Sequence, residues 1–127
     1  MAKEIISTTK APAAIGPYCQ AVKANGFIFV SGQIAIDPKT GEFLKGSIAE
    51  KTDLILSNIK GLLEDSGSSI CKCVRVGIFL TDMKDFAEMN EVYKKYFGEN
   101  LSARATVAVA GLPAGENIEI EVTALAN

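Results

Sequence analysis

Two runs near the C-terminal end, Ala103-Arg-Ala-Thr-Val-Ala-Val109 and Ile118-Glu-Ile-Glu-Val-Thr123, alternate residue by residue. A period of two suits only a strand with one buried face. Gly111, Pro113 and Gly115 lie between the runs, so the pair reads as a terminal hairpin closed by a short loop. In the first run Ala105, Val107 and Val109 point one way and Arg104, Thr106 and Ala108 the other. In the second, Ile118, Ile120 and Val122 oppose Glu119, Glu121 and Thr123. If both apolar faces rest on one core, Arg104 and Glu119 share the outer face, an anion holder beside an acid/base group. From pattern alone Arg104 could equally form a cross-strand pair with Glu121, and Glu119 could be a solvated strand carboxylate.

The preceding segments supply the layers that such strands need. Residues 3–8 are a short strand candidate, followed by Ala11-Pro-Ala-Ala-Ile-Gly-Pro-Tyr-Cys-Gln-Ala21. Two prolines and a glycine there exclude helix and regular ladder, leaving a stiff loop from which Tyr18 and Gln20 offer polar side chains. Residues 20–24 and 26–34 read as a strand pair turned by Asn25-Gly26. Phe27-Ile-Phe-Val30 is apolar on both faces and so demands cover on both. Gly32, inside this strand, permits a bulge or the close approach of another group. Helical spacing follows over 47–66, with Ser47 and Glu50 placed as a capping box and Gly67 as the stop. Residues 73–81 alternate as a strand, with Val74, Val76, Ile78 and Leu80 on one face and Arg75, Gly77 and Phe79 on the other. Asp82 caps a second helix reaching Phe97, striped by Phe86, Met89 and Tyr93 with Asn90 beside the stripe. The order β, ββ, α, β, α, ββ is that of an α+β domain over residues 1–127, one mixed or antiparallel sheet with two helices packed on one face. Its other face, carrying Phe79, predicts a homo-oligomer.

Composition removes more functions than it suggests. The chain has no histidine, which excludes Ser-His-Asp and Cys-His catalysis and the common imidazole zinc sites. Cys71-Lys-Cys73 lacks two further ligands, so no metal is expected, and three cysteines in all point to free thiols. A net charge of −2 with interspersed signs gives no footprint for a polyanion, making nucleic acid an unexpected partner. The polar start lacks an apolar leader core, and no stretch approaches the ~18 apolar residues of a membrane span. The expectation is a cytoplasmic protein.

Several of these stretches, taken in order, carry a resemblance. Ala11-Pro-Ala-Ala-Ile-Gly-Pro-Tyr-Cys-Gln-Ala21, Val30-Ser-Gly-Gln-Ile34, Asp37-Pro-Lys-Thr-Gly41, Asp85-Phe-Ala-Glu-Met-Asn-Glu-Val-Tyr93, Ala103-Arg-Ala-Thr-Val107, Leu112-Pro113 and Ile118-Glu-Ile-Glu121 together resemble the RidA/YjgF family of reactive intermediate deaminases. The resemblance implies a chorismate-mutase-like fold and a homotrimer with inward-facing sheets and active sites between subunits. It implies hydrolysis of 2-aminoacrylate and related enamine or imine acids, such as 2-iminopropanoate and 2-iminobutanoate, to 2-oxo acids and ammonia, without a cofactor. Carried over by motif, Arg104 holds the substrate carboxylate and Glu119 assists the attacking water. Tyr18, Gly32, Asn90 and Thr106 fall at positions that line the cleft. Cys19, Ser102 and Thr106 depart from the residues usual there, which are serine, proline and in some members cysteine. Two other functions attach to such a chain: a trimeric 2-oxo-acid sensor without turnover, and a ribonuclease or translation inhibitor.

Overall fold

In the computed structural model, which describes residues 2–127, six strands form one mixed sheet in the order β1-β2-β3-β6-β4-β5. The strands are β1 (Glu4–Ile6), β2 (Ala21–Ala24), β3 (Phe27–Gln33), β4 (Cys73–Leu80), β5 (Ala103–Ala108) and β6 (Ile118–Leu125). Helices α1 (Ile48–Asp65) and α2 (Phe86–Phe97) precede and follow β4 in the chain and contact each other. Asn25 and Gly26 take φ of 51° and 84°, both in the left-handed region, and close the β2–β3 hairpin in two residues. Ser47 and Glu50 form the capping box, with Ser47 Oγ accepting from Glu50 N at 3.1 Å and Glu50 Oε1 from Ser47 N at 2.9 Å. Hydrogen bonding to Ser47, its backbone N–H foremost and then its hydroxyl, holds the Glu50 carboxyl below its ordinary value.

The core lies between the helices and one sheet face. Ile55, Leu56, Ile59, Leu62 and Leu63 of α1 are wholly buried against Ile28, Val76, Ile78, Ile118 and Ile120. Each such side chain contributes ~1.5–3 kcal/mol of burial. Thr52, which completes the α1 stripe, is buried with its hydroxyl donating to Ile48 O at 2.7 Å.

Three expectations are corrected. The two C-terminal strands are not a hairpin: β5 pairs in parallel with β4, and β6 runs antiparallel between β3 and β4. The α2 crossover brings the chain back parallel to β4 and leaves β5 at the edge. The central slot falls to β6, whose Ile118, Ile120, Val122 and Ala124 are buried. Second, the small and apolar face of β5 is not core. Register places Ala105 beside Gly77 and Val107 beside Phe79, on the face away from the helices, and Val107 is 46% exposed. Third, a bulge between Cys73 and Arg75 interrupts the β4 alternation, so Cys73 is buried and Val74 exposed. Phe27 and Phe29 also lie on the helix-free face, where Phe29 is 48% exposed.

Candidate active site

The sequence-predicted site residues fall into two groups, one on each side of the sheet. Arg104 pairs with Val76 and Thr106 with Ile78, and both of those valine and isoleucine side chains are buried under the helices. Arg104 is therefore on the helix face of the edge strand. Glu119 pairs with Phe79 on the opposite face. Their expected sharing of one face is overturned, because alternation on β5 is phased by β4 and not by the burial of its own alanines and valine. Arg104 and Glu121 are on opposite faces for the same reason, which removes the cross-strand ion pair.

Arg104 is held by α2. Its Nη1 donates to Asn90 Oδ1 at 2.7 Å. The guanidinium carbon lies 4.6 Å from the Tyr93 ring centre and 5.5 Å from that of Phe86, and Tyr93 is itself stacked on Phe97 at 4.5 Å. Phe86, Asn90 and Tyr93 follow one another at helical spacing and so face one way. That spacing places Phe86 and Tyr93 on the apolar stripe of α2 without marking them as supports of Arg104, whereas the family resemblance names Asn90 as a site residue. Burial raises the Tyr93 hydroxyl above its ordinary value, opposed by the charge of Arg104. Among the described residues no carboxylate pairs with Arg104; the ion pairs are Lys51–Glu116 and Lys94–Glu91. Thr106 Oγ1, one same-face position further along β5, is buried without a hydrogen-bond partner. The departure at Ser102 is absorbed locally, its hydroxyl donating to Cys73 O at 2.8 Å beside the β4 bulge.

The second group lines a cleft of ≈ 480 Å³ that holds Tyr18, Gly32 and Glu119, with Ile15, Ile34 and Pro113 as apolar wall. Gly32 lies at the bulge between Val30 and Gln33, where a Cβ would fall 2.6 Å from Glu119 Oε2. Only glycine lets the carboxylate lie across the β3 backbone in this way. Burial foremost, and then the charge of Glu121, raise the Glu119 carboxyl above its ordinary range. The loop bearing Tyr18 is fastened by Gln20, whose buried amide accepts from Thr8 N at 2.7 Å and donates to Pro12 O at 2.7 Å and Ala11 O at 3.1 Å. Ser31 Oγ donates to Cys19 O at 2.7 Å, tying the loop to the bulge. Among the described residues no cluster of three metal-binding side chains occurs, and no helix is long and apolar enough to cross a membrane.

Fold and site together define a small α+β protein with a guanidinium that has no carboxylate partner among the described residues and, on the other sheet face, a carboxyl raised above its ordinary range by burial. The family described as Endoribonuclease L-PSP matches residues 8–126. A RutC family protein of Pyrococcus abyssi is 54% identical over 124 residues, covering 98% of each chain. A Mus musculus protein named 2-iminobutanoate/2-iminopropanoate deaminase is 44% identical over 123 residues, covering 97% of this chain and 91% of its own. The crystal structure of E. coli TdcF with bound serine superposes at a TM-score of 0.90 with 40% identity, over 96% of this chain and 98% of that one. The chain belongs to the endoribonuclease L-PSP family, as one of its RidA/YjgF members.

Proposed function

We propose that the protein is a hydrolase that converts enamine and imine acids, among them 2-aminoacrylate, 2-iminopropanoate and 2-iminobutanoate, to 2-oxo acids and ammonia. The observation that carries this reading is Arg104, a guanidinium fixed by Asn90, Phe86 and Tyr93 with no carboxylate partner among the described residues. Its planar fork matches a carboxylate through two parallel hydrogen bonds, which an ammonium cannot reproduce. The relatives named as 2-iminobutanoate/2-iminopropanoate deaminases support the same substrate class.

The reaction needs little beyond placement. An enamine first takes a proton on carbon to become the imine. Glu119 accepts a proton from water as the oxygen bonds to the imine carbon and the C=N electron pair moves to nitrogen. The proton is returned to nitrogen, giving a carbinolamine; its hydroxyl proton then passes to the nitrogen, the O–H electron pair forms the C=O bond as the C–N bond breaks, and ammonia leaves. General-base assistance of this kind gives about 10²- to 10⁴-fold. Tyr18 and Gly32 shape the cleft beside Glu119, Asn90 orients Arg104, and Thr106 follows Arg104 on the same face of β5. Because Arg104 and Glu119 lie on opposite faces of one sheet, the reading requires a second copy of the chain to bring the β5 edge to the Glu119 cleft. A homotrimer of chorismate-mutase-like subunits with inward-facing sheets meets that need and covers Phe29 and Val107. To test the activity, 2-aminoacrylate is generated by a serine dehydratase and 2-oxo acid formation followed. Acceleration over buffer, abolished by Arg104→Ala, is expected; no acceleration sinks the proposal.

The family description favours RNA cleavage as the second reading. A net charge of −2 and the absence of histidine oppose it, and RNA cleavage with salt-dependent binding would revive it.

A further inference from the structure

Three charged side chains are placed by the strands on the helix-free face, and their order along β4 and β6 is informative. Arg75 pairs with Thr123, Gly77 with Glu121, and Phe79 with Glu119. Glu121 therefore stands between Arg75 and Glu119, one same-face step from each. Neither carboxylate forms an ion pair with Arg75. Both are seated on glycines: a Cβ at Gly32 would meet Glu119 Oε2 at 2.6 Å, and one at Gly77 would meet Glu121 Cγ at 3.1 Å. Each glycine thus leaves room for one glutamate side chain to lie against the backbone.

We propose that Glu121 is a tuning residue for Glu119: a negative charge one same-face step away, engaged in no ion pair among the described residues, makes Glu119 a stronger base toward water. This rests on the deaminase reading for its purpose, though not for its test. Glu121 acts through Glu119 and does not touch substrate. The remaining groups that face Glu119 cannot substitute for it. Phe79 of β4 and Val107 of β5 are apolar, Ser31, Gly32 and Gln33 of β3 carry no charge, and the loop offers Tyr18 alone. The upward displacement of the Glu119 carboxyl, caused by burial and then by Glu121, agrees in direction.

Range makes the idea testable. Two residues of strand rise separate the carboxylates by about 6.6 Å at their backbones. That is inside the ~8–10 Å screening length at ordinary ionic strength and outside the ~3 Å length at about 1 M salt. The experiment is a carboxyl-carbon NMR titration of uniformly glutamate-labelled full-length protein, with Glu119 assigned by the signal missing in Glu119→Gln. In Glu121→Gln the Glu119 midpoint should move to lower pH, in Glu121→Asp it should return most of the way, and in wild-type protein it should fall as salt is raised to about 1 M. A midpoint unmoved by Glu121→Gln, one moved equally by Glu121→Asp, or one indifferent to salt overturns the proposal. The salt series needs no variant, so a misfolded substitution does not leave the question open. The titration needs no turnover either: failure of the deaminase reading appears as absent 2-oxo acid formation, failure of this inference as an immobile midpoint.

Discussion

Gly32→Ala isolates the contact on which the Glu119 half of the site depends. The Cβ it adds would lie 2.6 Å from Glu119 Oε2, 2.7 Å from Cδ and 3.2 Å from Cγ, where ordinary contact begins at 3.4 Å. The carboxylate must therefore retreat by about 0.8 Å. Gly32 has no left-handed φ, so alanine suits the backbone, and the atoms displaced are the far end of a flexible side chain. The unfolding midpoint is thus expected within a few degrees of wild type. Activity is another matter, since a misplacement of ~1 Å in a positioned group costs about 10²-fold. The assay is 2-oxo acid release from 2-aminoacrylate generated in situ, with kcat and KM separated and unfolding followed by circular dichroism. The double variant Gly32→Ala/Glu119→Gln supplies the control: if the alanine acts through the carboxylate, the pair is no slower than Glu119→Gln alone. A Gly32→Ala enzyme of wild-type rate, or additive losses in the double variant, refutes the reasoning.

Other perturbations read other parts of the structure. Asn90→Ala removes the acceptor 2.7 Å from Arg104 and is expected to raise KM about tenfold with a smaller change in kcat, as loss of a hydrogen bond to a charged group does. The Glu119 carboxyl is raised by folding, so its contribution to stability is present below the ordinary carboxylate range and lost as pH rises through the raised value. Glu119→Gln should therefore unfold at a higher temperature than wild type near about pH 7 and lose that advantage at about pH 3, which calorimetry at both values checks. Cys71 is exposed, whereas burial foremost and then Cys71 push the Cys73 thiol up to about 12. Iodoacetamide at mildly alkaline pH should label Cys71 in the native protein and Cys73 only after unfolding, as peptide mapping would show.

Local signals carried much of the fold and less of the site. The Asn25-Gly26 turn, the Ser47–Glu50 capping box and the stripe of α1 are written in residues a few positions apart, and each stands where its spacing predicts. Asp82 accepts from Lys84 N as a cap, though of a short 3-10 turn, Met83–Asp85, that precedes α2. Strand order is not local. Nothing in Ala103-Arg-Ala-Thr-Val says that β4 will be its neighbour, and without that neighbour the phase of its alternation is ambiguous, since both faces are small or amphipathic. That ambiguity put Arg104 on the wrong face. It also hid Tyr93 and Phe86, whose role beneath the guanidinium exists only once α2 lies over the β5 edge. Glu119 kept its predicted face because β6 alternates between Ile118, Ile120 and Val122, all buried, and carboxylates. Only the register could reveal that the two groups stand back to back.

That separation gives the central claim its sharpest test. Arg104→Ala and Glu119→Gln chains, each inactive alone, are unfolded together in equal amounts and refolded, and imine hydrolysis is measured. If each site takes Arg104 from one copy and Glu119 from another, random assembly restores both groups at about a quarter of the sites, and about a quarter of wild-type activity returns. No recovery, in mixed oligomers verified by mass spectrometry, would contradict a shared site.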